Sequence, residues 1–196
     1  MEAKKTKIGI FIESDFYENE IFFYQLRFGE EKYDVHFFSR LWGQKGIEFH
    51  GHEFRAPFYC SESFEDLTDE EIKSFDAIIV PAGMVSDRLR YTEDVSRLPP
   101  ACEFLKKVFS EKHILKGIIC HGLWLVSPIS EVIKGRRLVA HNNLIGDVRN
   151  YGAEYVDQDL VIDDDLITAR TGGHCNLLAR EIIHQISKRR SASPPV

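Results

Sequence analysis

The strongest indication of the fold is the segment Gly117-Ile118-Ile119-Cys120-His121-Gly122-Leu123-Trp124-Leu125. A short apolar run, typical of a buried strand, enters Cys120, passes a small-residue turn at Gly122 and continues as a helical pattern over 122–133. A strand, a tight turn and a helix form a nucleophile elbow, which lifts the central side chain above the sheet edge. Helix N-termini favour thiolates, so we predict that Cys120 is a reactive nucleophile. The backbone amide of His121 can then stabilise an oxyanion.

An arbitrary cysteine in a strand is usually a small buried apolar residue. Cys120 instead stands between a strand and a helix and is followed by His and Gly. This order favours the interpretation of Cys120 as a nucleophile. The other three cysteines, Cys60, Cys102 and Cys175, are widely separated and form no CxxC pair. We therefore expect free thiols rather than a zinc or thioredoxin-type site, and neither a metal nor a cofactor.

Apolar runs alternate with amphipathic stretches along the chain, which predicts an α/β fold with a mainly parallel sheet covered on both faces. Ligands collect at the carboxyl ends of such strands. We expect one domain over residues 1–190 and a disordered Ser/Pro tail over 191–196. The predicted strands are 7–13, 33–39, 75–81, 115–120 and 137–141, with a hairpin of 155–162 and 166–169; the predicted helices are 18–30, 95–112, 122–133 and 176–188.

Composition narrows the class of protein. The chain has 196 residues, of which 43% are hydrophobic and 29% charged, as in ordinary globular domains. A net charge of -6 argues against a nucleic-acid partner. No run approaches the roughly 18 apolar residues that span a bilayer, and the first apolar run is too short for a signal peptide. We therefore expect a cytoplasmic protein without a membrane partner.

Several motifs in the same order resemble the ThiJ/PfpI superfamily, which includes the PfpI-type intracellular proteins and the Parkinsonism-associated deglycase. Ile119-Cys120-His121-Gly122 is similar to the family's elbow. Phe75-Asp76-Ala77-Ile78-Ile79-Val80-Pro81-Ala82-Gly83 resembles its strand and Pro-Gly-Gly turn. Lys134-Gly135-Arg136-Arg137-Leu138-Val139 and the segment 147–157 match two further signatures. The resemblance implies a flavodoxin-like three-layer sandwich that forms a homodimer or a higher homo-oligomer.

The resemblance also implies roles for residues around Cys120. Glu20 stands where the family places a protonated carboxyl against the nucleophile, although a glutamate there could simply complement a helix N-terminus. His121 is the candidate general base. Asp87 matches a glutamate that PfpI-type proteins present to this histidine across a subunit interface, and otherwise it is a loop cap. Gly83 would offer a second oxyanion-hole amide.

Histidines on three further loops were weighed as site residues. His141 and His174 occupy segments that rim the site in the family, and the alternative for each is a surface loop position. His50 and His52 flank a glycine, but two histidines without a third ligand are more often a solvated loop than a metal site.

Two functions of different classes are open. The first is a cysteine-dependent enzyme that acts on a small-molecule electrophile, such as a glyoxalase III-like conversion of methylglyoxal or the hydrolysis of a related carbonyl or amide. The second is a non-enzymatic redox sensor or stress chaperone in which Cys120 is oxidised. His121 favours the enzyme. A class I glutamine amidotransferase is excluded because no late His-x-Glu pair follows: Asn176 and Ile186 stand two residues after His174 and His184.

Overall fold

The structure is a computed structural model, and it describes residues 5–192. The central sheet has seven strands in the order β10-β11-β7-β6-β1-β2-β5. Its neighbours run parallel, except that β10 pairs antiparallel with β11. In chain order the strands are β1 (Lys7–Phe11), β2 (Asp34–Ser39), β3 (Ile47–His50), β4 (Pro57–Cys60), β5 (Glu62–Ser63), β6 (Ala77–Val80), β7 (Leu115–Ile119), β8 (Arg137–Leu138), β9 (Glu154–Tyr155), β10 (Leu160–Asp163) and β11 (Leu166–Ala169).

Helices flank this sheet, which confirms the predicted α/β fold. Strands β6 and β7 are buried along their whole length, as parallel strands covered on both faces must be. Helices α1 and α6 pack against each other, and α4 packs against the helical segment that follows β7. The helices are α1 (Glu18–Glu30), α2 (Asp69–Lys73), α3 (Val85–Leu89), α4 (Pro100–Ser110), α5 (Ile145–Asn150) and α6 (Cys175–Ala192).

The helical segment after β7 departs from the prediction of a regular helix. Cys120–Val132, the elbow helix, has 3-10 geometry and is broken at Ile129, where φ is -129° and ψ is 36°. Pro128 lies inside it and cannot donate a backbone hydrogen bond, which interrupts the helix.

Other boundaries also differ from the sequence-based prediction. The helix predicted for 95–112 begins at Pro100 because Pro99 is held extended by the proline that follows it. The 155–162 strand is two strands, β9 and β10, and the 137–141 strand is only β8, which pairs with β9. Ser191 and Ala192 belong to α6 rather than to a tail, and residues 193–196 lie outside the described part.

The β3–β4 hairpin, over residues 47–60, was not predicted. It pairs antiparallel outside the central sheet. Its turn lies against the loop between β1 and α1, since the N–H of Asp15 donates to the carbonyl of His50 at 2.7 Å. The hairpin therefore reaches over the carboxyl end of the sheet, where the loops after β1, β6 and β7 meet.

Candidate active site

Cys120 stands at a strained backbone position. Its φ is 59°, a left-handed conformation that a non-glycine residue seldom adopts and that is found at the nucleophile of an elbow. Gly122 makes this turn possible because a Cβ there would lie 2.6 Å from the carbonyl oxygen of Val80. The hydroxyl of the buried Ser86 donates to the carbonyl of His121 at 2.6 Å and fixes the turn from the other side.

The thiol and the neighbouring imidazole are in contact. Sγ of Cys120 lies 3.2 Å from Nδ1 of His121. The His121 ring packs edge-on against Trp124, with centroids 4.9 Å apart, and lies 4.7 Å from the ring of His141. Burial, together with the charge of His141, lowers the pKa of His121. The ring is therefore neutral at neutral pH, and Nδ1 can accept the thiol proton.

The thiol itself is not poised as a thiolate. Burial raises the pKa of Cys120 to about 11, and a charge on Glu20 would add to that increase. Backbone N–H groups of His121 and Gly172 donate to the sulfur and lower the pKa only in part. Backbone donors at the turn favour the thiolate and burial opposes it more strongly, so the expectation of a stabilised thiolate stays a prediction.

Glu20 is a buried carboxyl at the base of the site. Its side chain has no solvent exposure, and Oε2 accepts the N–H of Ala82 at 2.9 Å. Burial raises the pKa of Glu20 to about 8, so the group is mostly protonated at neutral pH. Oε1 and the hydroxyl of Tyr24 make no hydrogen bond of ordinary geometry among the described residues, but the two side chains interact, and Tyr24 lowers the pKa of Glu20 in part. The carboxyl reaches Cys120 electrostatically, and the structure gives no hydrogen bond between their side chains.

A pocket of about 490 Å³ opens above the thiol. It combines the elbow with the loops after β1, β6 and β11 and with the turn of the β3–β4 hairpin. Glycine backbone and aromatic rings form most of its wall, so a small molecule can approach the sulfur closely. The lining residues are Asp15, Tyr17, His52, Ala82, Gly83, Met84, Cys120, His121, His141, Thr171, Gly172 and Gly173.

Three of the predicted site residues share this pocket with Cys120. Gly83 and His141 line it beside His121. Nδ1 of His141 accepts the N–H of Asn143 at 3.2 Å, so a neutral His141 ring carries its proton on Nε2. The backbone donor that reaches the sulfur besides His121 belongs to Gly172.

His174 and Asp87 lie outside the pocket lining. Nδ1 of His174 is 2.9 Å from the hydroxyl of Thr171, so the ring caps the turn that presents Gly172. Asp87 lies on α3 and accepts a hydrogen bond from Arg90 at 3.0 Å. Within one chain it does not contact His121, and its role across a subunit interface stays a prediction.

Several pocket residues were missed by sequence reasoning. Tyr17 and Met84 follow β1 and β6 in loops whose positions were expected to matter, but no motif singled them out. His52 was interpreted as solvated loop, and it is an exposed loop residue; it also stands on the pocket rim, with its ring 6.0 Å from that of Tyr17. The His-Gly-His pattern was the sequence feature that could have identified His52 as a pocket residue. No sequence feature pointed to Thr171.

Residues 5–192 offer neither a metal-ligand cluster nor a membrane-spanning helix. No group of three or more His, Cys, Asp or Glu side chains is arranged there to hold a metal ion. No helix in that part of the chain is both long and apolar enough to cross a bilayer.

The comparisons with known proteins agree with the fold. The model of the DJ-1/PfpI family matches residues 6–185. The chain is 27% identical to Deglycase PfpI from Pyrococcus furiosus over 90% of this chain and 97% of that protein. It is 30% identical to Protein/nucleic acid deglycase 2 from Escherichia coli, over 90% and 95% of the two chains. DJ-1 from Schizosaccharomyces pombe superposes with a TM-score of 0.75 at 18% identity, over 97% and 100% of the two chains. The chain therefore belongs to the DJ-1/PfpI family.

Proposed function

We propose that this protein is a cysteine-dependent enzyme that converts small electrophilic carbonyl compounds, with Cys120 as nucleophile and His121 as base. The contact of 3.2 Å between Sγ and Nδ1, at the floor of the pocket, carries the proposal. The names of the two curated relatives as deglycases support an activity on carbonyl adducts. Within that class, a glyoxalase III-like reaction uses these groups most directly.

The first steps make a covalent adduct. The thiol proton moves to Nδ1 of His121 as the sulfur attacks the aldehyde carbon of an α-oxoaldehyde. The carbonyl π electrons move to the oxygen, which takes the proton back from His121 and gives a hemithioacetal. A high resting pKa suits this sequence, because the thiolate exists only while His121 holds its proton.

The later steps move hydrogen within the substrate. His121 removes the proton from the hemithioacetal carbon, the electron pair forms a double bond to the adjacent carbon, and the oxygen of the adjacent carbonyl takes that proton from His121 to give an enediol. A proton returned to that second carbon, and loss of the hydroxyl proton from the first, give a 2-hydroxy thioester. Water hydrolyses the thioester to the 2-hydroxy acid and restores the thiol. The net reaction adds one water and needs no external oxidant or reductant.

Glu20 is suited to support these steps as a neutral acid. Its Oε2 accepts from Ala82, so we place the proton on Oε1, where the Tyr24 hydroxyl is its neighbouring side chain. A protonated carboxyl can donate to a sulfur or oxygen that becomes negative during the reaction. An ionised Glu20 would instead repel that charge.

The alternative is a redox sensor. Peroxide reacts with the thiolate, and burial keeps Cys120 largely protonated at neutral pH. The same property is compatible with an enzyme, since His121 withdraws the proton when the substrate arrives. We therefore place the enzyme first.

Turnover of methylglyoxal by wild type, Cys120→Ala and Cys102→Ala tests the proposal. Cys102 is a matched control because it is buried and its thiol donates to the carbonyl of Leu125, away from the pocket. We expect lactate formation by wild type and Cys102→Ala, and no more than the buffer rate with Cys120→Ala. Equal rates for wild type and Cys120→Ala would show that Cys120 is not the nucleophile of the reaction. A wild type without turnover whose Cys120 becomes sulfinic acid under peroxide would establish the sensor instead.

A further inference from the structure

The His-Gly-His turn of the β3–β4 hairpin places one histidine on the pocket rim and the other outside it. His52 lines the same cavity as Cys120 and His121. His50 is not part of that lining, and its Nε2 lies 3.4 Å from Glu48. The pair therefore offers a pocket residue and a matched control two positions apart.

The orientation of His52 is fixed by one carbonyl. Its backbone N–H donates to the oxygen of Phe16 at 3.1 Å, and its Nδ1 lies 3.3 Å from the same oxygen. A carbonyl can only accept, so Nδ1 carries the proton of the neutral ring. Nε2 of His52 is then a lone-pair acceptor, and no side chain among residues 5–192 donates to it.

A buried carboxylate holds this turn in place. Glu18 is 1% exposed, and its two oxygens accept the backbone N–H groups of Glu53 at 3.1 Å and Phe54 at 2.8 Å. Burial opposes ionisation, but these backbone hydrogen bonds outweigh it and lower the pKa of Glu18. Gly51 packs so closely that a Cβ there would lie 2.0 Å from Cδ of Glu18. Because the buried Glu18 carboxylate holds the backbone of this turn, we infer that the turn is rigid and preorganised.

The pocket thus presents polar groups of opposite character beside the nucleophile. His141 offers the N–H of Nε2, because its Nδ1 is occupied by the N–H of Asn143. His52 offers the lone pair of Nε2. The Asp15 carboxylate also lines the pocket, but its oxygens already accept from Arg55 and Arg88. The acceptor on His52 can therefore recognise a ligand that carries a donor.

We propose that His52 is a substrate-binding residue that accepts a hydrogen bond from a hydroxyl group of the substrate. The substrate class is then an α-oxoaldehyde that bears a hydroxyl beside its carbonyl groups rather than a plain alkyl group. Glu18 is a positioning residue for this contact. The substrate class in this proposal rests on the proposed function. The assignment of His52 as an acceptor rests on the geometry of the turn.

A matched pair of substrates tests the contact. Methylglyoxal and hydroxymethylglyoxal differ by one hydroxyl, so the ratio of their kcat/KM values reports its recognition. We expect wild type to prefer the hydroxylated compound by about 10-fold or more, which is the effect of one hydrogen bond of about 1.4 kcal/mol. His52→Phe should reduce the preference to less than about 2-fold, whereas His50→Phe should retain it. Glu18→Gln should reduce it in part.

Three results would overturn the inference: no preference in wild type, an unchanged preference in His52→Phe, or an equal loss in His50→Phe. A second measurement separates this inference from the proposed enzymatic activity. The rates at which iodoacetamide and iodoacetonitrile alkylate Cys120 require no turnover, and only the first reagent carries N–H donors. Their ratio should fall in His52→Phe and not in His50→Phe. An unchanged ratio in His52→Phe would reject the acceptor even if both dicarbonyls prove inert.

Discussion

Oε2 of Glu20 accepts a hydrogen bond from the backbone N–H of Ala82 at 2.9 Å, and this contact joins helix α1 to the turn after β6. It places a carboxyl with no solvent exposure beneath the nucleophile. A single hydrogen bond to a neutral donor does not offset the loss of water, so the folded protein holds Glu20 in its protonated form.

The buried carboxyl makes stability fall as the pH rises. The pKa of Glu20 is about 8 in the folded protein against an ordinary value of 4.5. Between these values the unfolded chain ionises this carboxyl while the folded protein keeps the proton, so the unfolded state binds fewer protons. The free energy of unfolding should then decrease with pH over this window, by on the order of 1 kcal/mol per pH unit from this group. Below about pH 4.5 its contribution should be constant.

Glu20→Gln isolates that contribution. The variant keeps the shape and an oxygen that can accept the N–H of Ala82, but it does not titrate. Urea unfolding of both proteins from pH 5 to pH 8 should show the wild type losing stability relative to the variant. Parallel curves would mean that Glu20 ionises in the folded state as it does in water.

Among the four thiols, Cys120 should react first with limiting iodoacetamide. Burial raises the pKa of every one of them, to about 12 for Cys102 and about 11 for Cys60, Cys120 and Cys175. Thiolate content therefore does not separate them. Cys120 differs because it lines the pocket and contacts the imidazole of His121.

Peptide mapping by mass spectrometry measures that order. His121→Phe should slow labelling of Cys120 by about 10-fold or more at neutral pH, since no base remains to take the proton. Cys175→Ser serves as a control and should leave the rate unchanged. Labelling of Cys175 ahead of Cys120 would move the reactive site to the glycine loop.

Gly122 should not tolerate even a methyl group. A Cβ there would meet the carbonyl oxygens of Val80 at 2.6 Å and Pro81 at 3.0 Å, and backbone cannot move aside cheaply. We expect Gly122→Ala to lower the free energy of unfolding by about 2 kcal/mol or more. Gly146→Ala is the control, because nothing lies within 4 Å of its Cβ position inside α5, and alanine should stabilise that helix by up to about 1 kcal/mol. A Gly122→Ala protein as stable as wild type would show that the elbow can open.

The fold could be predicted where sequence pattern and burial agree. Strands β6 and β7 are continuous apolar runs that the parallel sheet covers on both faces, and they lie within the predicted ranges 75–81 and 115–120. The β3–β4 hairpin could not be found in the same way, because exposed and buried positions are mixed along its two four-residue strands. Its pairing depends on contacts with the β1–α1 loop, which no local pattern encodes.

The site was predictable at the elbow and much less so around it. Cys120 and His121 are adjacent in sequence, and the turn that joins them has a recognisable pattern. The pKa of the thiol was not predictable, because it depends on how far burial outweighs the dipole of the turn. Tyr17 and His52 reach the pocket from separate loops, so their proximity is a property of the tertiary structure alone.

We predict that Asp87 acts on His121 from a second subunit. His121 uses Nδ1 for the thiol, and no side chain among residues 5–192 hydrogen-bonds to its Nε2. A base of this kind works best when a carboxylate holds its other nitrogen. Asp87 is partly exposed on α3 and is free to meet a neighbouring molecule apart from its bond to Arg90. We propose that it orients His121 across the interface of a homodimer or a larger homo-oligomer.

Within one chain, a different path connects the two residues. Arg90 lies 5.3 Å above the ring of Trp124, which packs against His121, so Asp87 could act on the histidine through its own subunit. Arg90→Gln removes this path and leaves Asp87 available to a partner. Asp87→Asn removes both this path and the contact with a second subunit. The comparison of these two variants therefore separates an effect between subunits from one within a subunit.

We expect Asp87→Asn to lower kcat by about 100-fold, and Arg90→Gln to stay within a few-fold of wild type. His121→Phe should cost at least as much as Asp87→Asn, and the double variant should lose little more, because the two residues act as one unit. Wild-type activity per subunit should also fall on dilution below the dissociation constant of the oligomer, as followed by light scattering. Equal losses in Asp87→Asn and Arg90→Gln would assign the effect to the Trp124 path. Full activity in Asp87→Asn would leave Glu20 as the carboxyl that serves the reaction.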